Sequence, residues 1–297
     1  MLGGGYNGGS VNSVELFSPN GGCNYQLAPL PIQIYANFFL GRYKQMIFAC
    51  FGFITQSGSD NNRCWQYFPN NDTWAFLTQS NYYHRWSPGV IHNNFAYFVD
   101  NGSPEKYNIE TNQWSASFPA LTSRGEAACI VPYLDTFFLL GGTSYNIGNE
   151  QYNFTSQSWK KLSNLSPGYS YFGCTLLPAR NDKPLSSPLF SDTILIMQSV
   201  SSDVAGTLYD IKNDKFLPLS TTTYGHRHNF ILNLGHRVFV FAGYNGAPNN
   251  IVEEYHQHNN SWTVLPTLVK FSRYHLSGLA VPADWFRHMP GGCLGVK

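Results

Sequence analysis

One spacing recurs through this sequence and restricts what the chain can become. Tyr67 precedes Trp74 by seven residues, and the same gap separates Tyr107 from Trp114, Tyr152 from Trp159, Tyr209 from Phe216 and Tyr255 from Trp262. A looser sixth copy is Phe17 with Tyr25, stretched by one residue through Gly21-Gly22-Cys23. The second aromatics follow one another at 49, 40, 45, 57 and 46 residues. Periods of about 40–50 residues belong to propeller blades and similar arrays.

Other features keep phase with the pair. Between its two members lies a turn-forming segment: Pro69-Asn70-Asn71-Asp72, Glu110-Thr111-Asn112, Thr155-Ser156-Gln157, Lys212-Asn213-Asp214 and His258-Asn259-Asn260. Asn, Asp and Gly favour tight turns because they tolerate left-handed backbone and bond their own main chain. Upstream of each pair runs a strand-length apolar segment, as at 95–99, 136–140, 193–197 and 238–242. Two of these close on Gly-rich steps, Gly141-Gly142 and Ala242-Gly243-Tyr244, and apolar-Pro endings recur at Pro29, Pro119, Pro218 and Pro266. With no helical period between them, four antiparallel strands per unit make one blade. A single blade cannot bury both faces, so the pairs are expected in the core between neighbouring blades.

This pattern resembles the Kelch repeat, in which an apolar strand ends in a Gly pair followed by an acidic residue, a Tyr and a Trp. The acidic element stands at Glu15, Glu105, Glu150 and Glu253-Glu254. The Gly pair is eroded at Cys50-Phe51-Gly52, Asp100-Asn101-Gly102 and Gln198-Ser199, and a long insertion runs from Ala179 to Ser191. The resemblance implies an all-β, six-bladed propeller of four-stranded antiparallel blades, one domain over 1–297 with a tail at 283–297 outside the repeat. Residues 1–5 read as a second strand without a first, and 273–282 as a first strand without a second. Joining them closes the ring, as Kelch propellers do, and hides two edges that would invite aggregation.

Composition narrows the function classes. Charged residues are only 12% of the chain and the formal net charge is +1, so there is no electrostatic footprint for nucleic acid or an anionic membrane. No apolar run reaches the roughly 20 residues of a membrane helix, and neither a signal peptide nor a compartment can be read. Sequons stand at Asn71, Asn101, Asn153, Asn164 and Asn259, which is weak evidence for secretion in a chain so rich in Asn, Ser and Thr. Of six cysteines, Cys129 and Cys174 fall in the first strands of adjacent units, where a small thiol packs well. Cys50 and Cys64 would face each other across one hairpin, and a Cys23–Cys293 bridge would pin the tail; free thiols are the plainer expectation.

In Kelch-like substrate adaptors one mouth of the channel is built from residues just before each first strand and just after each second strand. Matching positions here are Arg85, Arg124, Tyr171, Arg227 and Arg273 for the former, and Tyr6, Asn101, Tyr145, Ser201 and Tyr244 for the latter. Arg with Tyr suits a peptide carrying carboxylates: the guanidinium fork takes a carboxylate bidentately, and Tyr adds contact area at small entropic cost. The expected role is a protein- or peptide-binding module without a cofactor. A ligase-adaptor role would require a longer parent protein, since no BTB domain is present. A second reading is an extracellular propeller that binds glycans or matrix.

An enzyme is the weakest reading. His226 with His228, and His256 with His258, form HxH pairs whose side chains would share a face of a strand, but no carboxylate or Cys is spaced to complete a metal site. Copper-radical oxidases with Kelch-like propellers need a seventh blade and a further domain, and the Asp-rich turn of sialidases is absent. There is no GxSxG, HExxH or phosphate loop.

Overall fold

The computed structural model describes the chain except for residues 6, 8–10, 22–23, 35–37, 55–58, 61, 85–88, 100–103, 116–117, 119–127, 143–147, 165–172, 180–190, 198–205, 236 and 287–297. Six four-stranded antiparallel sheets form; five run in chain order from their first to their outer strand, and the sixth starts from a strand at the end of the chain. Blade 1 comprises Phe39–Tyr43, Met46–Cys50, Arg63–Phe68 and Thr73–Gln79; blade 2 comprises Gly89–His92, Phe95–Phe98, Glu105–Asn108 and Gln113–Ser115. Blade 3 comprises Cys129–Tyr133, Thr136–Leu140, Glu150–Asn153 and Ser158–Lys161; blade 4 comprises Gly173–Leu177, Thr193–Met197, Gly206–Asp210 and Lys215–Pro218. Blade 5 comprises Phe230–Leu234, Arg237–Tyr244, Pro248–His256 and Ser261–Val264. Blade 6 takes Ser277–Gly278 from the end of the chain and Leu2–Gly3, Val14–Phe17 and Asn24–Leu27 from its beginning.

The first strands settle the arrangement. Each packs beside the first strands of the two neighbouring blades, in the order 1, 2, 3, 4, 5, 6 and back to 1. The ring is closed by the pairing of Leu2 with Gly278 and Gly3 with Ser277, as the incomplete ends of the repeat implied.

Six hydrophobic clusters fill the six gaps between blades. Tyr67 joins Val14, Leu16 and Leu27 between blades 6 and 1, and Tyr107 joins Phe48 and Phe98 between 1 and 2. Tyr152, Tyr209 and Tyr255 do the same in the next three gaps, while Phe17 packs with Phe239 and Val252 between blades 5 and 6. Each Tyr faces its partner seven residues on directly across the ladder, Tyr67 opposite Trp74 for instance, with ring centroids 4.9–5.1 Å apart in all five pairs. Offset and tilted geometries of this kind add about 0.5–1.5 kcal/mol beyond burial.

The sixth copy departs from the expectation. Phe17 takes the place of the Tyr, edge-on to Phe241 at 5.3 Å, but it pairs with Asn24, and Tyr25 lies opposite Leu16. The turn keeps its ordinary length, so the position seven residues after Phe17 is Asn24, and Tyr25, one residue further along, points to the other face of the strand. Tyr25 accordingly packs into the cluster between blades 6 and 1, away from Phe17.

Thiol pairing also departs from the plainer expectation. Cys50 and Cys64 face each other in the ladder of blade 1 and form a disulfide, and Cys129 and Cys174 link the first strands of blades 3 and 4 through a second. The Cys23–Cys293 pairing lies outside the described residues. Among the described residues no helix is long and apolar enough to cross a membrane.

Candidate functional site

With strands running alternately up and down, the loops before each first strand and after each second strand gather at one end of the ring. The tight turns gather at the other. The loops need anchors, because their polar backbone is drawn over the end of an apolar core. In blades 2, 5 and 6 the anchor is the acidic residue of the third strand, two places before its Tyr or Phe. Glu15, Glu105, Glu150 and Glu253 are all fully buried.

Glu253 accepts hydrogen bonds from the backbone N–H groups of Thr223 and Tyr224 at 2.9 and 2.8 Å, and its Oε1 lies 3.1 Å from His226 Nε2. His226 Nδ1 sits 2.5 Å from the Ala242 carbonyl, so both ring nitrogens face acceptors. Burial pushes the Glu253 carboxyl up, but His226 and the two N–H donors outweigh it and hold the group below its ordinary value. Blade 2 repeats the device: Glu105 takes the N–H groups of Asn81 and Tyr82, the Asn81 side chain, and His84 Nε2 at 2.8 Å. Even the preceding hydroxyl is repeated, Ser80 Oγ donating to the Tyr82 carbonyl and Thr222 Oγ1 to that of Tyr224.

Blade 6 uses an arginine. Glu15 accepts the Lys270 N–H at 2.7 Å and pairs with Arg273 Nη2, while Arg273 Nη1 donates to the carbonyls of Gly4 and Ser13 and to Ser13 Oγ at 3.0–3.1 Å. Arg273 is fully buried. It therefore occupies the place of His84 and His226, one position earlier than the open mouth residues, and its guanidinium is closed off from the mouth. The signal was present in the alignment of His226-Arg227 with Arg273-Tyr274, where the second member of each pair lies at the mouth.

In blades 5 and 6 the second glycine of the pair makes room for the anchored loop. At Gly243, with φ of 114°, a Cβ would stand 2.9 Å from the Arg227 carbonyl. At Gly5, with φ of 109°, one would stand 2.7 Å from that of Tyr274. Phe51 and Ala242, which erode the first position, keep its left-handed backbone at φ of 69° and 51°.

Arg227 and Tyr244 lie side by side. They exchange both backbone hydrogen bonds, at 3.2 and 2.8 Å, Arg227 is exposed and Tyr244 half-buried. Tyr274 packs edge-on to Tyr244 with centroids 5.4 Å apart. His228 and His275, equivalent residues of blades 5 and 6 and both left-handed at φ of 57°, bring their rings to 4.1 Å. Burial and then Arg227 lower the His228 pKa to about 4; burial, His228 and Arg227 hold His275 well below the ordinary histidine value. Further exposed aromatics at this end are Tyr82, Tyr83 and Tyr224, none of which the sequence reading singled out. Tyr6, Arg85, Asn101, Arg124, Tyr145, Tyr171 and Ser201 lie outside the described residues.

Neither HxH pair has the strand geometry that would align its rings. His226 and His228 precede the first strand of blade 5, and the first is bonded to Glu253. His256 ends a strand, bonds Thr263, and keeps 6.0 Å between its ring and that of His258. Among the described residues no three His, Cys, Asp or Glu side chains converge on one point. At the opposite end an apolar pocket of about 220 Å³, lined by Leu16, Phe17, Leu232, Phe241, Leu279 and Phe286, lies between blades 5 and 6. It falls below the roughly 300 Å³ at which ligand pockets begin.

Comparison with known proteins agrees with this architecture. Residues 231–269, spanning most of blade 5, match the Kelch motif. The chain is a six-bladed propeller with a Kelch repeat. A solved structure titled "Structure of YjhT" superposes with a TM-score of 0.67 at 12% identity, over 89% of this chain and 96% of that one. At that identity the likeness speaks for the fold alone. No curated protein matches the sequence. Kelch propellers serve in general as protein-interaction modules, and the fold supports that broad role here.

Proposed function

We propose that this propeller binds a protein or peptide at the loop end of the ring, and that carboxylates on the ligand meet Arg227. The observation that carries the reading is the contrast between two arginines of neighbouring loops. Arg273 is buried on Glu15, whereas Arg227 is exposed and held by its backbone against Tyr244. An exposed Arg beside Tyr244, at a loop end that also carries Tyr274 and Tyr224, has the composition of interaction hot spots, which favour Arg and Tyr. The chain acts by binding and not by catalysis: the buried carboxylates and imidazoles at this end, Glu105 with His84 and Glu253 with His226, are engaged in anchoring loops. Any role as a ligase adaptor belongs to a longer parent protein.

The test is selection of a random-peptide display library on the purified propeller, with counter-selection on Arg227→Ala. Enrichment of peptides that carry Asp or Glu and bind the variant at least tenfold more weakly supports the reading. Failure to enrich, or peptides that bind both proteins equally, overturns it.

A further inference from the structure

We infer that the chain matures in an oxidising secretory compartment and carries N-linked oligosaccharides on Asn71 and Asn259, at the end of the ring away from the proposed binding loops. Two observations meet here. The first is the pair of disulfides, Cys50–Cys64 inside blade 1 and Cys129–Cys174 between blades 3 and 4. Such bonds form and persist in secretory compartments and are rare where thiols are kept reduced.

The second is the way two sequons are held. Asn71-Asp72-Thr73 and Asn259-Asn260-Ser261 occupy the same turn in blades 1 and 5, between the third and outer strands. In each, the middle residue is left-handed, at φ of 51° for Asp72 and 50° for Asn260. Its side chain is drawn inward. Asp72 Oδ1 accepts the Tyr67 hydroxyl and the Ala28 N–H at 2.7 Å each; Asn260 Oδ1 accepts the Tyr255 hydroxyl at 3.0 Å and the Ser220 N–H at 3.1 Å. With the middle residue pinned to the core, the Asn before it is left exposed at the tip of the turn. Ser261 Oγ already donates to Asn259 Oδ1 at 2.9 Å, and the residue is exposed. The sequon at Asn153 is different: this Asn is half-buried and its Oδ1 accepts both the N–H and the hydroxyl of Ser156.

The modification is a group transfer from a polyisoprenyl-diphosphate-linked oligosaccharide. The Asn Nδ2 forms a bond to the sugar anomeric carbon and loses a proton. The bond from that carbon to the lipid diphosphate breaks, and the diphosphate departs with the electron pair. An Asn at an exposed turn tip accommodates the product without displacing core.

The test isolates the full chain from the cells that make it, releases glycans with peptide N-glycosidase in heavy-oxygen water, and maps the peptides without reduction. The inference expects the heavy-oxygen Asp label at positions 71 and 259, none at 153, and both disulfides intact. Asn71→Gln and Asn259→Gln are each expected to remove one mobility step while leaving the melting temperature within about 2 °C. Unlabelled Asn71 and Asn259, or alkylatable thiols at Cys50, Cys64, Cys129 and Cys174, would overturn it. Peptide binding at the loop end is read separately and can survive either result.

Discussion

Trp262 donates its indole N–H to the carbonyl of Ser220, 3.0 Å away across the boundary between two blades. Ser220 returns its own N–H to Asn260, which also accepts the Tyr255 hydroxyl. The same circuit joins blades 6 and 1, where Trp74 and Asp72 hold both backbone groups of Ala28 and Asp72 takes the Tyr67 hydroxyl. A repeated Tyr and Trp seven residues apart is thus more than a packing unit. It fastens the outer edge of one blade to the next. Trp262→Phe keeps the ring and loses the donor, so it should cost about 1 kcal/mol, whereas Trp262→Ala should cost about 3–5 kcal/mol. Denaturant melts of the two variants separate the terms.

Blade 4 has Phe216 in place of the Trp and no indole N–H to give. There Ser163 supplies the missing bond in the other direction, its Oγ donating to the Asp214 carbonyl at 2.7 Å while its N–H goes to Asp214 Oδ1 at 2.9 Å. Ser163→Ala is expected to cost about 1 kcal/mol, and Ser220→Ala, whose partner blade 5 retains its Trp, much less. Equal losses would mean that the hydroxyl does not stand in for the indole.

Acid should loosen this protein through His228 and His275. The folded pKa of His228 is lowered to about 4, beneath its ordinary 6.5. A group depressed in the folded state binds fewer protons there than when unfolded, so its cost is absent above pH 6.5 and grows as pH falls towards 4. His275 acts with the same sign. The shift at His228 corresponds to on the order of 3 kcal/mol at the acid end of that window. Replacing both residues with Asn, which tolerates their left-handed backbone, should flatten the melting temperature between pH 6.5 and 4.5. An unchanged slope would place the acid sensitivity elsewhere.

Reduction tests the two disulfides independently of glycosylation. Cys129 and Cys174 are 45 residues apart and Cys50 and Cys64 only 14. Loop closure therefore predicts the larger loss for Cys129→Ser with Cys174→Ser, about 4 kcal/mol against about 3 kcal/mol for the shorter loop. Melting curves of the two double variants decide the order.

Much of this was legible because propellers repeat. The pair from Tyr67 to Trp74 is visible since its turn has a fixed length, and two residues on facing strands must then stand opposite each other. The same logic explains where the reading slipped. The turn after Phe17 has the usual length, so Asn24 stands opposite Phe17 and Tyr25, one residue on, faces the other way; only the ladder register reveals it. Arg273 was expected at the mouth because it precedes a first strand, but that strand is short, beginning at Ser277, and the loop register places Tyr274 there instead. The acidic positions Glu105 and Glu253 were visible, yet their partners His84 and His226 were not, because the anchor joins the third strand to a loop 21 and 27 residues earlier. No local period marks such a contact.

The most direct measurement compares Arg227→Ala with Arg273→Ala, following thermal melting and titration with a selected acidic peptide side by side. Removing Arg273 strands Glu15 in the core, a loss of about 3–5 kcal/mol, which in a chain of this size lowers the melting temperature by roughly 5–8 °C. Removing Arg227 should leave the melt within about 1 °C and weaken the peptide at least tenfold. An Arg227→Ala protein that melts early, or one that binds the peptide as tightly as the parent, would contradict the assignment of this end of the ring to recognition.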